Sequence, residues 1–341
     1  MASFRMLTFL PFLEKVDHVK RVSRPSTMRS FARSAGALLG AIMCVVMFAG
    51  CNQRTTRADA QPTSLPPVQY IGQWGSKGSG PGQLDDPTCI TTDTLGNIYI
   101  ADDGSHFIDK FGPGGVPHLS FQDPGLRAPQ SIAVDSGGAI YVTDASRGTL
   151  TIYLPSGIPL RTLRGRLRVN TENSLDVAVD ADGLIHIFDS ELHRVFTYTP
   201  RFRLLREWQP SANVPNERIR AAAMTGAPDG SLYFVDPAAN RIFHFSGDGR
   251  FLSDIDASAT GGGRKLSDQI AASNQYVFAM DDNGRMLHVW SIDGTPKLDV
   301  DLAPELGQGS RPAPPIAASP RNELLVLDTP EGRVLRYHIN F

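Results

Sequence analysis

The chain has 341 residues, 33 Lys and Arg against 35 Asp and Glu, and 41% hydrophobic residues. Seven of the basic and two of the acidic residues fall in the first 50 positions, so the rest carries 26 basic and 33 acidic groups, a formal net charge of −7. A mildly acidic body gives no reason to expect nucleic-acid binding, and no nucleic-acid partner is expected.

Residues 1–27 fit no export pattern: Glu14 and Asp17 are acidic, and the apolar stretch Leu7–Leu13 is too short to anchor. They read either as a long basic-end region or as sequence ahead of the true start, because Met28 opens a segment of ordinary signal length. Residues 28–50 read as a signal peptide. Arg29 and Arg33 precede an uncharged run of 17 residues, Ser34 to Gly50, which ends Val45-Val46-Met47-Phe48-Ala49-Gly50 before Cys51. An uncleaved membrane anchor is the other reading, although a span needs about 20 apolar residues. The Phe-Ala-Gly-Cys ending resembles a bacterial lipobox, with Phe48 in place of the preferred Leu. The resemblance implies that Cys51 is acylated and becomes the mature N-terminus, attached to a membrane outside the cytoplasm in the cell envelope. Asn52 is not the usual Asp retention residue, which points toward the outer membrane. Residues 51–67, rich in Thr, Gln, Ala and Pro, read as a flexible tether.

From residue 68 onward the chain repeats. Each unit reads apolar strand, turn, apolar strand, Asp. The clearest copy is Ser131-Ile132-Ala133-Val134-Asp135, then Ser136-Gly137-Gly138, then Ala139-Ile140-Tyr141-Val142-Thr143-Asp144. The closing Asp recurs at Asp102, Asp144, Asp189, Asp236, Asp281 and Asp328, in steps of 42, 45, 47, 45 and 47 residues. That is the length of a four-stranded blade. Turns such as Leu95-Gly96-Asn97 and Pro228-Asp229-Gly230 carry the residues that tight hairpins require. Third strands follow, among them Phe107–Phe111, Arg194–Tyr198 and Val334–His338. Six units predict an all-β fold, a six-bladed β-propeller of four-stranded antiparallel blades over 68–341. The last unit has only three strands, so Val68–Trp74 is predicted to supply its outer strand and close the ring.

Two positions before the end of each inner strand stand Thr91, Ala133, Ala178, Ala223, Ala271 and Ala317, small residues predicted to face a narrow axis. Two further back, on the same side, stand Cys89, Ser131, Asp176, Ala221, Gln269 and Pro315. Ser131, Asp176 and Gln269 are the candidate ligand contacts at the channel mouth. A hard cation wants more carboxylates than Asp176 alone supplies, and the histidines scatter over different strand classes, so no metal site, no cofactor and no catalytic residue is nominated. The six closing Asp residues read as turn formers. With Cys44 in the signal and Cys51 acylated, Cys89 stands alone as a buried thiol. Arg161, Arg164, Arg166 and Arg168, with Arg201, Arg203 and Arg206, read as a solvated edge or a basic patch for an acidic partner. Trp74 and Trp208 occupy comparable outer-strand positions and read as blade packing.

Gln73-Trp74-Gly75-Ser76-Lys77-Gly78-Ser79-Gly80-Pro81-Gly82-Gln83-Leu84-Asp85-Asp86-Pro87, followed by Gly96-Asn97-Ile98-Tyr99-Ile100-Ala101-Asp102, resembles the NHL-repeat family. The likeness weakens in the last three units, where Thr225, Ser273 and Ser319 replace the usual Asp. It implies a six-bladed propeller and is weak for function. The expected role is binding or scaffolding, more a non-enzyme than an enzyme, with loops that recognise an envelope protein, peptide or glycan. The alternative is a hydrolase or lyase with its active site at the channel mouth.

Overall fold

The computed structural model describes residues 66–164, 175–214, 217–260, 265–307 and 312–341. Cys44, Cys51, Arg166 and Arg168 lie outside them. No helix among the described residues is long and apolar enough to cross a membrane.

The strands pair into six separate four-stranded antiparallel sheets, each in simple sequence order except the last. The second strands explain why these are blades. Ile98–Asp102, Ile140–Asp144, Ile185–Asp189 and Leu232–Asp236 are buried at all five positions. A strand apolar on both faces needs cover on both faces, and a ring of upright sheets provides it. Each of the six hydrophobic cores accordingly lies between two neighbouring blades, from Ala133 with Val177 between blades 2 and 3 to Ile90 with Ala317 between blades 1 and 6.

The small inner-strand residues border the axis, as expected, but they also pack against a neighbouring blade. The sheets stand radially, so strand alternation sends successive side chains to the two adjacent blades. Ile132 packs toward blade 1 and Ala133 toward blade 3. Smallness there lets the next blade approach: a Cβ on Gly226 of blade 4 would lie 2.8 Å from the Ala178 Cβ of blade 3. The register of blade 4 also needs correction. Thr225 pairs with Tyr233 as Thr91 pairs with Tyr99, and Ala227 closes its turn on Ser231 as Asp93 does on Asn97. Thr225 and Ala223 therefore hold the places expected for Ala223 and Ala221. The run Ala221-Ala222-Ala223 offers no side chain to mark register, and this turn lacks its Asp.

The ring closes where its first and last strands meet. Val68–Trp74 pairs with the third strand of blade 6, Arg333–Ile339, from Val68 opposite Ile339 to Trp74 opposite Val334. Every described strand and all six cores lie between Val68 and Ile339. The ring is thus complete without the sequence upstream.

Outer strands lock onto the next blade through a recurring contact. Trp74 covers Gly115, Phe121 covers Gly157 and Trp208 covers Gly249, each glycine lying in the hairpin between third and outer strands of the following blade. This is the blade packing expected of Trp74 and Trp208. Gly115 has φ +83°, and a Cβ there would stand 2.2 Å from the Trp74 ring. Gly115→Ala is expected to cost about 3 kcal/mol in urea unfolding, from positive φ and overpacking together. An unchanged midpoint would show that the ring slides aside freely.

Candidate functional site

The inner strands leave their axial edges unpaired, and those backbone groups need partners. Side chains of one blade supply them for the next. Val177 N donates to Ser131 Oγ at 3.2 Å, Leu175 N to Gln130 Oε1 at 2.8 Å and Met224 N to Asp176 Oδ2 at 2.8 Å. Thr88 Oγ1 donates to the Pro129 carbonyl at 2.7 Å. Ser131 and Asp176, nominated from the sequence, therefore hold strand edges. Asp176 is bonded to a strand amide of blade 4.

These strands enclose an axial cavity of about 600 Å³. Its wall is apolar at mid-height, with Ala133, Ala178, Ile270 and Ala271, and polar at both ends. At the end where the inner strands begin, called here the loop face, the lining includes Thr88, Gln130, Ser131, Asp176, Asp268 and Gln269. The three nominated residues thus come to one mouth. Asp268 was missed. Inner strands line the cavity through consecutive residues, so Asp268 and Gln269 both reach it, and Gln269 Nε2 donates to Asp268 Oδ1 at 3.0 Å. The polar run Ser267-Asp268-Gln269, interrupting an otherwise apolar inner strand, was the available signal. Asp268 is exposed and Asp176 buried.

The ionisable groups among the described lining residues are Cys89, Asp93, Asp176 and Asp268, with no His, Lys or Arg. Burial pushes the Cys89 thiol up to about 12, and the nearby Asp176 charge adds to it, so no thiolate nucleophile forms at neutral pH. Asp93 lies at the opposite end, where it accepts from the Leu95 and Asn97 amides at 2.9 Å each and from the Tyr99 hydroxyl at 3.1 Å. The cavity is therefore a negative slot with apolar walls, whose proton chemistry falls to carboxylates.

The remaining candidates are structural in their contacts. Asp102 accepts from the Asp85, Asp86 and Ser105 amides, Asp144 from Arg127, and Asp236 from Arg220 and Ala239. Asp281 accepts from Arg285 and Met286, and Asp189 from Glu191 and Leu192, whereas Asp328 takes the Arg333 guanidinium at 2.8 Å. His186, fully buried, lies 3.2 Å from both Asp180 Oδ2 and Thr197 Oγ1, in the place that Tyr99 and Tyr141 hold in blades 1 and 2. His244 stacks on Tyr233, and His288 lies 2.7 Å from Asp299. Arg161 sits over the Phe202 ring on the exposed outer strand of blade 2. No group of three or more His, Cys, Asp or Glu among the described residues is arranged to hold a metal.

One carboxyl away from the cavity is strained electrostatically. Asp109, fully buried on the third strand of blade 1, accepts from Gly82 N at 3.1 Å and from the Ser120 hydroxyl through Oδ1, while Oδ2 has no partner among the described residues. Burial, reinforced by Asp102, raises it to about 6 against the pull of those two donors. A raised acid binds its proton more tightly folded than unfolded. Its stabilising contribution is full below the unfolded value and is lost as pH rises through about 6. Asp109→Asn is expected to stabilise the ring at pH 7 by up to about 3 kcal/mol and to flatten the loss of stability between pH 4 and about 6. Parallel pH profiles for the two proteins would contradict this.

No family model matches the chain, and no curated protein does. Among solved structures, a streptogramin B lyase is similar at 14% identity, covering 79% of this chain and 98% of that one, with a TM-score of 0.57. A catalytically inactive histidine-to-alanine variant of virginiamycin B lyase from Staphylococcus aureus, with quinupristin, matches at 15% identity over 75% and 85%, TM-score 0.51. The Cps50 (Swd1) β-propeller domain of Myceliophteria thermophila matches at 10% identity over 80% and 100%, TM-score 0.56. What is shared is the propeller fold. The expectation of a protein-binding or scaffolding module, more a non-enzyme than an enzyme, is corrected by these likenesses, among which lyases stand.

Proposed function

We propose that the chain is a lyase or hydrolase working at the loop-face mouth of its axial cavity. The observation that carries this is the lining itself: a cavity of about 600 Å³ with apolar walls, Asp176 and Asp268 at one end, and no cation among its described lining residues. Pockets of this size take small molecules or short oligomers, and unbalanced carboxylates favour a positive ligand. The proposed substrate is an amine-bearing peptide or glycan. Asp268, exposed and accepting from the Gln269 amide, is placed to take a proton as general base. Asp176, fixed by Met224 N, offers a held negative charge for the substrate amine. The similar virginiamycin B lyase variant is inactive when a histidine is replaced; the described lining here has no histidine, so the proposed proton transfer is assigned to a carboxylate.

The test is mass balance. The purified chain is incubated with amine-bearing peptides and amino-sugar oligomers, and products are weighed by mass spectrometry. A lyase leaves products that sum to the substrate, one of them unsaturated. A hydrolase adds one water. Turnover equal in Asp268→Asn, or none across the panel, overturns the proposal.

The same proposal includes the address. Acylation of Cys51, attachment outside the cytoplasm and kinship with NHL repeats are supported by the Ala49-Gly50-Cys51 ending and the Trp74–Pro87 segment.

A further inference from the structure

The two faces of the ring differ in their apolar surface. The face opposite the Asp176 mouth, called here the hairpin face, carries the hairpins joining first to second and third to outer strands. Leu95 is 71% exposed there, Val116 62% and Ile158 59%. Leu154, Ile292 and Phe341 are exposed on the same face. Every other exposed large apolar residue among those described lies early in an outer strand, just past these hairpins, or on the seam strand. Among the described residues the loop face has none. One-sided exposure on this scale marks a docking surface.

The occupant follows from where the chain enters and from charge. Pro66 and Pro67 accept from Asn340 at 3.1 and 2.7 Å, and Ile339 N donates to Asn322 in the blade 6 hairpin. The described residues therefore begin at the hairpin face, with Cys51 15 positions before Pro66 in the sequence. The third-to-outer hairpins of blades 1 and 2 there are uncharged, Gly112-Pro113-Gly114-Gly115-Val116 and Leu154-Pro155-Ser156-Gly157-Ile158, while Asp93 and Asp135, half-buried, begin the inner hairpins. Exposed Arg321 on blade 6 and Arg201 and Arg203 on blade 3 bracket this sector. More acidic groups gather between blades 3 and 4, where Asp182, Asp229 and Asp248, with Arg206, surround a hollow of about 280 Å³. Apolar tips flanked by guanidinium groups match a bilayer with anionic head groups.

We infer that the hairpin face of blades 6, 1 and 2 rests on the lipid bilayer, so that the Asp176 mouth points away from it. The inference rests on the anchor reading for bringing the face to the surface, and is independent of the proposed chemistry. The tether supplies high local concentration, so weak contact by the tips suffices.

The test is hydrogen exchange on the full chain in vesicles of phosphatidylethanolamine and phosphatidylglycerol, compared with the detergent-solubilised chain. Slowed exchange at residues 112–116 and 154–158, with none at 145–148 or 237–240 on the loop face, is expected. Val116→Asp with Ile158→Asp is expected to abolish it with the thermal midpoint unchanged. Protection of the loop face, equal protection of both faces, or protection only in native membranes that retain their proteins overturns the inference. Should the full chain wash off the vesicles, the anchor reading fails and flotation of the ring from Gln61 at high lipid decides. Flotation lost in the double variant supports the face, and a ring that stays behind overturns it.

Discussion

Deleting residues 68–74 is expected to lower the Tm by more than about 10 °C, although most of that strand is exposed. The strand is the outer member of blade 6, and its loss frees the edge of Arg333–Ile339 along its length. It also removes Trp74, which packs on Phe111 with ring centroids 4.6 Å apart and covers Gly115 in blade 1. Trp74 is half-buried, so its truncation to Ala should cost about 3 kcal/mol, the low end for a buried Trp, and 1 kcal/mol is worth about 2–4 °C in a domain of this class. Trp74→Ala should therefore account for much of the effect, with the remainder tracing to the unpaired edge. Calorimetry of the two variants separates the parts. A deletion that melts with the parent would mean that the ring does not depend on its seam.

Asp268→Asn is expected to lower kcat by about 10²–10⁴-fold, the usual worth of a positioned base, with little change in KM or thermal midpoint. The side chain is exposed, so its removal leaves no buried group unpaired. Asp176→Asn should behave differently. It keeps an oxygen for Met224 N, so the fold is retained, but loses the charge, and KM for amine-bearing substrates should rise about tenfold while neutral analogues are unaffected. Ser131→Ala is the structural control: it loses the bond from Val177 N and should move stability by about 1–3 kcal/mol without changing kcat. If all three variants shifted only stability, the mouth would be scaffolding alone.

The fold was legible because the repeat encodes it redundantly. The closing Asp residues, the apolar second strands and the missing last strand each point to the same ring, and Val68–Trp74 falls where the missing strand had to be. Blade 4 shows the limit. Without an Asp at Ala227, and with three alanines in a row, nothing local fixes whether a strand ends two residues earlier or later. The site was harder for a geometric reason. Alternation along a strand says which residues share a side, but not whether that side faces the axis or the next blade. Radial sheets make it the next blade, which is why Ser131 and Asp176 end on neighbouring amides. Asp268 reaches the cavity because an inner strand's axial edge exposes consecutive residues, which alternation does not foresee. Function was the least legible, because the residues that define the repeat are the ones that turns and cores consume.

The seam also sets an order of events. Val68–Trp74 is the first strand of the ring to leave the ribosome, and its partner Arg333–Ile339 is the last. Five blades can finish from strands close in sequence while the first strand waits without its neighbour. Closure spans nearly the whole domain and is the step with the greatest loop-closure cost. Until it happens, each chain carries both a donor strand and an open acceptor blade. When many copies fold together, the competing route is exchange, in which the first strand of one copy completes blade 6 of another and two rings leave linked.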